Sequence, residues 1–569
     1  MQRYSLRTLS PRGRWIAAAV VLALVLAAAA VIGLAGRSGD GGTQGGAGPQ
    51  SSGHQGSGTQ SEAPKSFNRP EGTSQFRPSY HLTPAKEWMN DPQRPFLLDG
   101  VWHYYYLYNA DHPEGNGTEW FHVTSTDLVH WKDEGVAIEK FKNGLGDIET
   151  GSAVVDQDNA AGFGKGAVVA IMTQQDKGVQ RQSLFYSTDK GYTFKAADGN
   201  PVMENPGVQH WRDPKIIRDE ARGQWVMALA EGEKIGLYTS TDLKDWRYVS
   251  GFERKGLGIL ECPDLFQLDV DGDPAKRTWV LAASANGTAE GRTTGVAYWT
   301  GSFDGTTFTP ADDKHQWLDA GADFYAAVTW DDPRLPENER MASRHAIGWM
   351  NNWTYARQLP TTDWRGGADS IVRDIRLKTV QGRPTLVSTP TAALSALDGE
   401  AKTAGSRALT PEGAGELPAA AGGAYRLDVT LERAPGDDGT EALLKLGSGG
   451  ADYATVGYNF EAGTASVSRA AAVPGAEALG PLFTERRSAQ SRPRSGSAQG
   501  SSPGRGSVDL TIFVDYSSVE VFVNGGEQTL TSVVLPRSGQ PAVSAATAGG
   551  KLTLKSFKYT PLATVLSAR

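Results

Sequence analysis

Three acidic residues in this chain stand in turns that proline stiffens. They are Asp91 in Trp88-Met89-Asn90-Asp91-Pro92, Asp213 in Trp211-Arg212-Asp213-Pro214, and Glu261 in Glu261-Cys262-Pro263. Proline fixes its own φ and restricts the residue before it, so each turn can hold a nearby carboxyl at one angle. One Asn-Asp-Pro alone is an ordinary turn. Three carboxyls in such settings suggest acid chemistry, because glycoside cleavage needs one ionised carboxyl to attack or activate water and one protonated carboxyl to serve the leaving oxygen. Arg212 beside Asp213 favours an ionised Asp213, whereas Gly258-Ile259-Leu260 before Glu261 suits a carboxyl that keeps its proton. Cys262 reads as a small buried residue.

Residues so far apart in sequence can meet where loops from several repeated units converge. Ser125-Thr126-Asp127-Leu128-Val129-His130-Trp131 recurs around Ser187-Thr188-Asp189 and again as Ser240-Thr241-Asp242-Leu243-Lys244-Asp245-Trp246, with a weaker copy from Gly301 to Phe308. The copies start 62, 53 and about 62 residues apart, a spacing that suits a large four-stranded propeller blade. Strand patterns around Phe324–Trp330 and Ala346–Trp353 supply a fifth blade. The expected fold is therefore all-β: a five-bladed β-propeller over residues 76–385, then a C-terminal β-sandwich over 386–569. In the second unit Leu510, Ile512 and Val514 alternate with other residues, as do Val519, Val521 and Val523, and Asn524-Gly525 supplies a tight turn. Glu520 reads as a surface residue of that strand, and the Ser/Gly/Arg-rich span near 485–507 as a disordered insertion.

The N-terminus differs in kind. Arg3, Arg7, Arg12 and Arg14 precede an apolar run from Ile16 to Ala35. Residues 1–37 are expected to be a signal anchor or a signal peptide, with everything beyond them extracellular, since the run reaches the roughly 20 residues a span needs. Residues 38–75, rich in Gly, Ser and Gln, form a flexible linker. A net charge of −8 gives nucleic acid no basic face, and one cysteine allows no intramolecular disulfide. Fifteen Trp and 18 Tyr, gathered mainly between 80 and 364, suit a sugar-binding cleft as well as a core. No cofactor is called for. Asp269-Val270-Asp271-Gly272-Asp273 looks like a calcium loop, but its twelfth position is Val280 where an EF-hand needs Glu, so no metal is expected. A monomer is expected.

The three acidic blocks resemble, in order and spacing, those of glycoside hydrolase family 32, which comprises invertases, inulinases and levanases. Gly151-Ser152-Ala153-Val154-Val155-Asp156, Asp323-Phe324-Tyr325-Ala326, Gly348-Trp349-Met350-Asn351-Asn352-Trp353 and Val514–Gly525 extend the likeness over about residues 76 to 560. The resemblance implies Asp91 as nucleophile, Glu261 as acid/base and Asp213 as transition-state stabiliser, in a retaining reaction with the two reacting carboxyls about 5–5.5 Å apart. It also implies a substrate-binding set of Trp88, Asn90, Arg212, Trp120 and Tyr325.

Departures from the family pattern bear on specificity. Gln93-Arg94 follow Pro92 where Asn-Gly is common, Leu107 replaces a usual glutamine, and Glu149-Thr150 stand where Phe-Ser is common. Asn90-Asp91-Pro92-Gln93 with Gly115–Trp120 looks like the levan-degrading branch, so the expected substrate is levan, cleaved at β-2,6 linkages to levanbiose or fructo-oligosaccharides. Alternatives are an exo-acting β-fructosidase, a fructosyltransferase, and a non-catalytic fructan-binding protein.

Overall fold

The computed structural model describes residues 75–111, 117–361, 364–365, 367–471, 473–494 and 506–565. The expectations for 1–37 and for nearly all of the 38–75 linker lie outside these residues. Five sheets follow one another along the first part of the chain, antiparallel except where Trp364–Arg365 joins the first in parallel. Their innermost strands are Glu87–Leu98, Asp147–Asp156, Trp211–Asp219, Leu260–Asp269 and Tyr325–Trp330. Consecutive innermost strands are neighbours, and the last packs against the first, which closes the ring.

The sequence repeat marks the turn between the third and fourth strands of a blade. Ser125 Oγ accepts from Leu128 N at 2.8 Å while Asp127 Oδ1 accepts from Val129 N and His130 N at 2.9 and 2.8 Å. Ser240 and Asp242 repeat the pattern on Leu243, Lys244 and Asp245. The serine and aspartate satisfy backbone donors that the turn would otherwise leave unpaired, so the motif recurs because the turn does. The fifth blade lacks it because its third strand, Arg373–Val380, turns into the fourth through only Gln381-Gly382, both at positive φ, which leaves no room for a Ser/Thr-Asp turn. Its fourth strand is Arg383–Pro390, and Arg373 pairs with Pro390. The boundary expected after 385 therefore falls inside a strand, and the blade ends at Pro390.

From Lys402 to Pro561 two sheets enclose one apolar core. Leu510, Ile512, Val514, Val519, Val521 and Val523 all lie in it, as alternation demands. Two expectations fail here. Glu520 is not on the surface: the outer face of its strand packs on the propeller, and the side chain is 0% exposed. Its carboxylate meets His81 Nε2 at 2.9 Å, Arg373 Nη2 at 2.5 Å and Ile371 N at 3.0 Å. Nor is the 485–507 span wholly irregular, since Arg487–Gln490 forms an edge strand on Thr464–Arg469 with Ala489 buried, and Arg494 bridges Ser507. Arg494 reaches Asp509 at 2.8 Å and Arg486 reaches Glu441. Residues 495–505 of the span lie outside the described residues.

Candidate active site

Each of the five innermost strands breaks register with its neighbour near its N-terminal end. The pairing skips Asp91 in the first blade, Glu149 and Thr150 in the second, Asp213 and Pro214 in the third, Cys262 and Pro263 in the fourth, and Ala326 and Ala327 in the fifth. A bulge of this kind leaves residues outside the ladder and re-aims their side chains. Asp213, Cys262 and Ala326 adopt φ of 66°, 45° and 49°, left-handed values costly for residues with a Cβ. Proline after Asp213 and after Cys262 removes an N–H just where the ladder has no acceptor for it.

Asp91 is held on every side. Trp88 Nε1 donates to Asn90 Oδ1 at 2.9 Å, and Asn90 Nδ2 donates to Asp91 Oδ1 at 3.0 Å. Thr150 Oγ1 donates to Asp91 Oδ2 at 2.6 Å, and Cys262 Sγ approaches the same oxygen at 3.4 Å. Gln93, one of the departures from the family pattern, ties two blades together: its Nε2 donates to Asp91 O at 2.9 Å and its Oε1 accepts from Gly151 N at 2.8 Å. Gly151 is obligatory there, since a Cβ would lie 2.2 Å from Ile171 O. Burial raises the pKa of Asp91, Thr150 opposes the shift, and the Glu261 charge adds to it.

Glu261 takes Arg212 Nη2 and Nε on Oε1 at 2.8 and 3.1 Å, and the Tyr325 hydroxyl on Oε2. Arg212 Nε lies 3.9 Å from Asp213 Oδ2. The guanidinium expected to ionise Asp213 is therefore spent mainly on Glu261. Asp213 accepts from Cys262 N at 3.0 Å, and burial pushes its pKa up to about 7 against the pull of Arg212, with Glu261 and Asp91 adding to the rise.

The structure thus brings together Asp91, Asn90, Asp213, Arg212, Glu261 and Tyr325. Trp88 and Trp120 are fully buried, so neither presents a free face as expected of a binding residue. Trp88 stacks on Trp353 at 5.9 Å and orients Asn90. Trp120 Nε1 donates to Glu149 O at 3.0 Å, which anchors the strand that delivers Thr150 to Asp91. Sequence reasoning gave Thr150 and Gln93 no contact role, and missed Gln180, whose Oε1 accepts from Trp211 N at 2.9 Å and lies 3.3 Å from Arg212 Nη1. The signal available for two of them was departure from the family pattern, at Gln93 and at Glu149-Thr150.

Profiles of the glycosyl hydrolases family 32 N-terminal domain and C-terminal domain match residues 81–390 and 393–561. The chain belongs to glycosyl hydrolase family 32. It is 41% identical over 498 residues to the levanbiose-producing levanase of Bacillus subtilis, covering 85% of this chain and 90% of that one. Against the levanbiose-producing levanase of Geobacillus stearothermophilus identity is 53% over 311 residues, 54% of this chain and 78% of that one. Among solved structures, the exo-inulinase of Aspergillus awamori superposes with a TM-score of 0.75 at 30% identity, covering 88% of this chain and all of that one. As a member of this family the chain is a glycosidase, and the propeller and sandwich are the family's two domains.

Proposed function

We propose that this glycosidase hydrolyses the β-2,6 linkages of levan with retention and releases levanbiose. The observation that carries this reading is the convergence of three carboxyls at or beside the register breaks of three blades, with Cys262 Sγ 3.4 Å from Asp91 and 3.7 Å from Asp213, and Arg212, next to Asp213, bonded to Glu261. Its substrate class is supported by the likeness to two levanbiose-producing levanases. Asp91 attacks the anomeric carbon while Glu261 protonates the departing glycosidic oxygen, so the C–O bond breaks as a fructosyl ester forms on Asp91. Glu261 then takes a proton from water, whose oxygen displaces Asp91 and restores the original configuration. Asp213 and Arg212 hydrogen-bond ring hydroxyls, and moving Arg212 onto the sugar leaves Glu261 free to handle its proton. Tyr325 steadies Glu261, and Asn90 steadies Asp91.

Aspergillus exo-inulinases similar to this chain are extracellular. The arginine-led apolar run at 16–35 supports the same location for this protein, released or held at the membrane. A product time course from levan, with inulin and sucrose alongside, tests the function. Early levanbiose is expected. Fructose alone from all three would instead identify an exo-β-fructosidase.

A further inference from the structure

The five register breaks are equivalent positions, and the first residue skipped at each is Asp91, Glu149, Asp213, Cys262 or Ala326. Two of these are carboxylates assigned above, Cys262 touches both of them, and Ala326 carries no chemistry. Glu149 is the member without a role. We propose that Glu149 is a substrate-contacting residue that recognises the second fructosyl unit of the chain and so sets the length of the released product. This rests on the reading of the protein as a levanbiose-releasing hydrolase.

Three observations place it. Glu149 is half-buried, and its backbone carbonyl is pinned by Trp120 while Thr150 next to it binds Asp91. Its only side-chain hydrogen bond among the described residues is a long one, from Gln180 Nε2 to Oε2 at 3.2 Å, so Oε1 has no protein partner there. The charged groups facing it are Asp147 on its own strand and Asp213 and Arg212 from the third blade. Glu149 therefore stands on the Arg212 and Asp213 side of the cleft. In the functional reading above, Asp213 and Arg212 meet hydroxyls of the unit bound at Asp91, so Glu149 borders that unit. In a β-2,6 chain the next unit toward the non-reducing end is attached through the 6-hydroxyl, away from the bond being cut. A disaccharide is released only if that second unit is held.

The charge state fits a donor. Burial, helped by Asp147 and Asp213 and opposed by Arg212 and Gln180, raises the Glu149 pKa to about 8. At neutral pH the acid can both donate to and accept from a sugar hydroxyl, and above about 8 it loses the donor.

The test uses the full chain with levan, comparing wild type, Glu149→Ala and Glu149→Gln. Glu149→Ala is expected to raise KM at least about fivefold, the effect of one lost hydrogen bond, with kcat changing less and the ratio of levanbiose to fructose falling. Glu149→Gln keeps a neutral donor and is expected to hold KM within about twofold at neutral pH. In the wild type, KM for levan should rise as pH passes through about 8, and that limb should vanish in Glu149→Gln. Unchanged KM and product ratio in Glu149→Ala, or persistence of the limb in Glu149→Gln, would overturn the proposal. Because Glu149→Gln is isosteric, it decides the matter even if the alanine variant folds poorly. A wild type that yields no levanbiose would sink the functional reading instead, while the KM comparison would still show whether Glu149 touches the chain.

Discussion

The propeller axis and the seam between propeller and sandwich both bury acids, but they balance them differently. At the axis four carboxyls, Asp91, Glu149, Asp213 and Glu261, share one guanidinium, Arg212. At the seam Asp319, Asp323, Asp515 and Glu520 meet Arg373, Arg469 and His81. The consequence is opposite in sign. Burial raises the pKa of Asp91, Glu149 and Asp213, whereas at Asp319 and Glu520 Arg373 overcomes burial and lowers it. Unbalanced burial leaves protons to be shared among the acids, which is what acid/base chemistry requires. Balanced burial fixes each charge in place and locks two domains together. One lattice of β-strands thus supports a reactive centre and a rigid seam by changing only the count of cations.

The largest expected effect comes from removing an axial carboxyl. Asp91→Asn and Glu261→Gln should each lower kcat on levan by roughly ten-thousand-fold or more. Asp91→Asn should do so with no loss of thermal stability, since it relieves a crowded negative site, whereas Glu261→Gln should lose some by weakening the pair with Arg212. Steady-state kinetics and a melting curve on the same sample check both halves. At the seam the order reverses. Arg373→Met leaves Glu520 and Asp319 buried without their partner and should cost about 3–5 kcal/mol of stability, seen in denaturant unfolding, while folded enzyme keeps its kcat.

Seam and axis should also part company with pH. Burial lowers the His81 pKa, but bonds to Asp515 and Glu520 at 2.9 Å each lift it from the ordinary 6.5 to about 9. Its contribution of about 3 kcal/mol is therefore fully present below pH 6.5 and lost as pH rises through about 9. His81→Gln should abolish that alkaline loss in pH-dependent unfolding. Asp213 has the same sign in a lower pH window, for its raised pKa means the folded state holds a proton that the unfolded state releases. Wild type should lose stability as pH rises from the ordinary carboxylate range through about 7, and Asp213→Asn should lose less over that range, Asp91 and Glu149 accounting for the remainder. The smallest effect is expected from Trp120→Phe. It keeps the ring but deletes the bond to Glu149 O, costing about 1 kcal/mol in unfolding, with a modest fall in kcat as Thr150 loosens.

Sequence showed what was local and concealed what depended on a neighbour. The Ser/Thr-Asp turns were legible because each is completed within a few residues, and they gave the blade period. The proline-flanked acids were legible because their constraint lies in the next residue. Glu520 was misread because alternation reveals that one face of a strand is apolar, not that a second domain covers the other. Arg212 adjoins Asp213 in sequence, yet the third-blade bulge turns its guanidinium toward Glu261 in the fourth. Glu149 stood out only as a departure from a family pattern, because the register break that aims it exists only once its strand is paired with Ala167–Asp176.

The most direct test of the unbalanced axis as a reactive centre is to quench wild-type enzyme in acid during turnover of levan and map its peptides by mass spectrometry. A fructosyl ester on the peptide that contains Asp91 is the predicted result. An ester on Asp213 or Glu149, or no ester together with first-released sugar of inverted configuration, would contradict it.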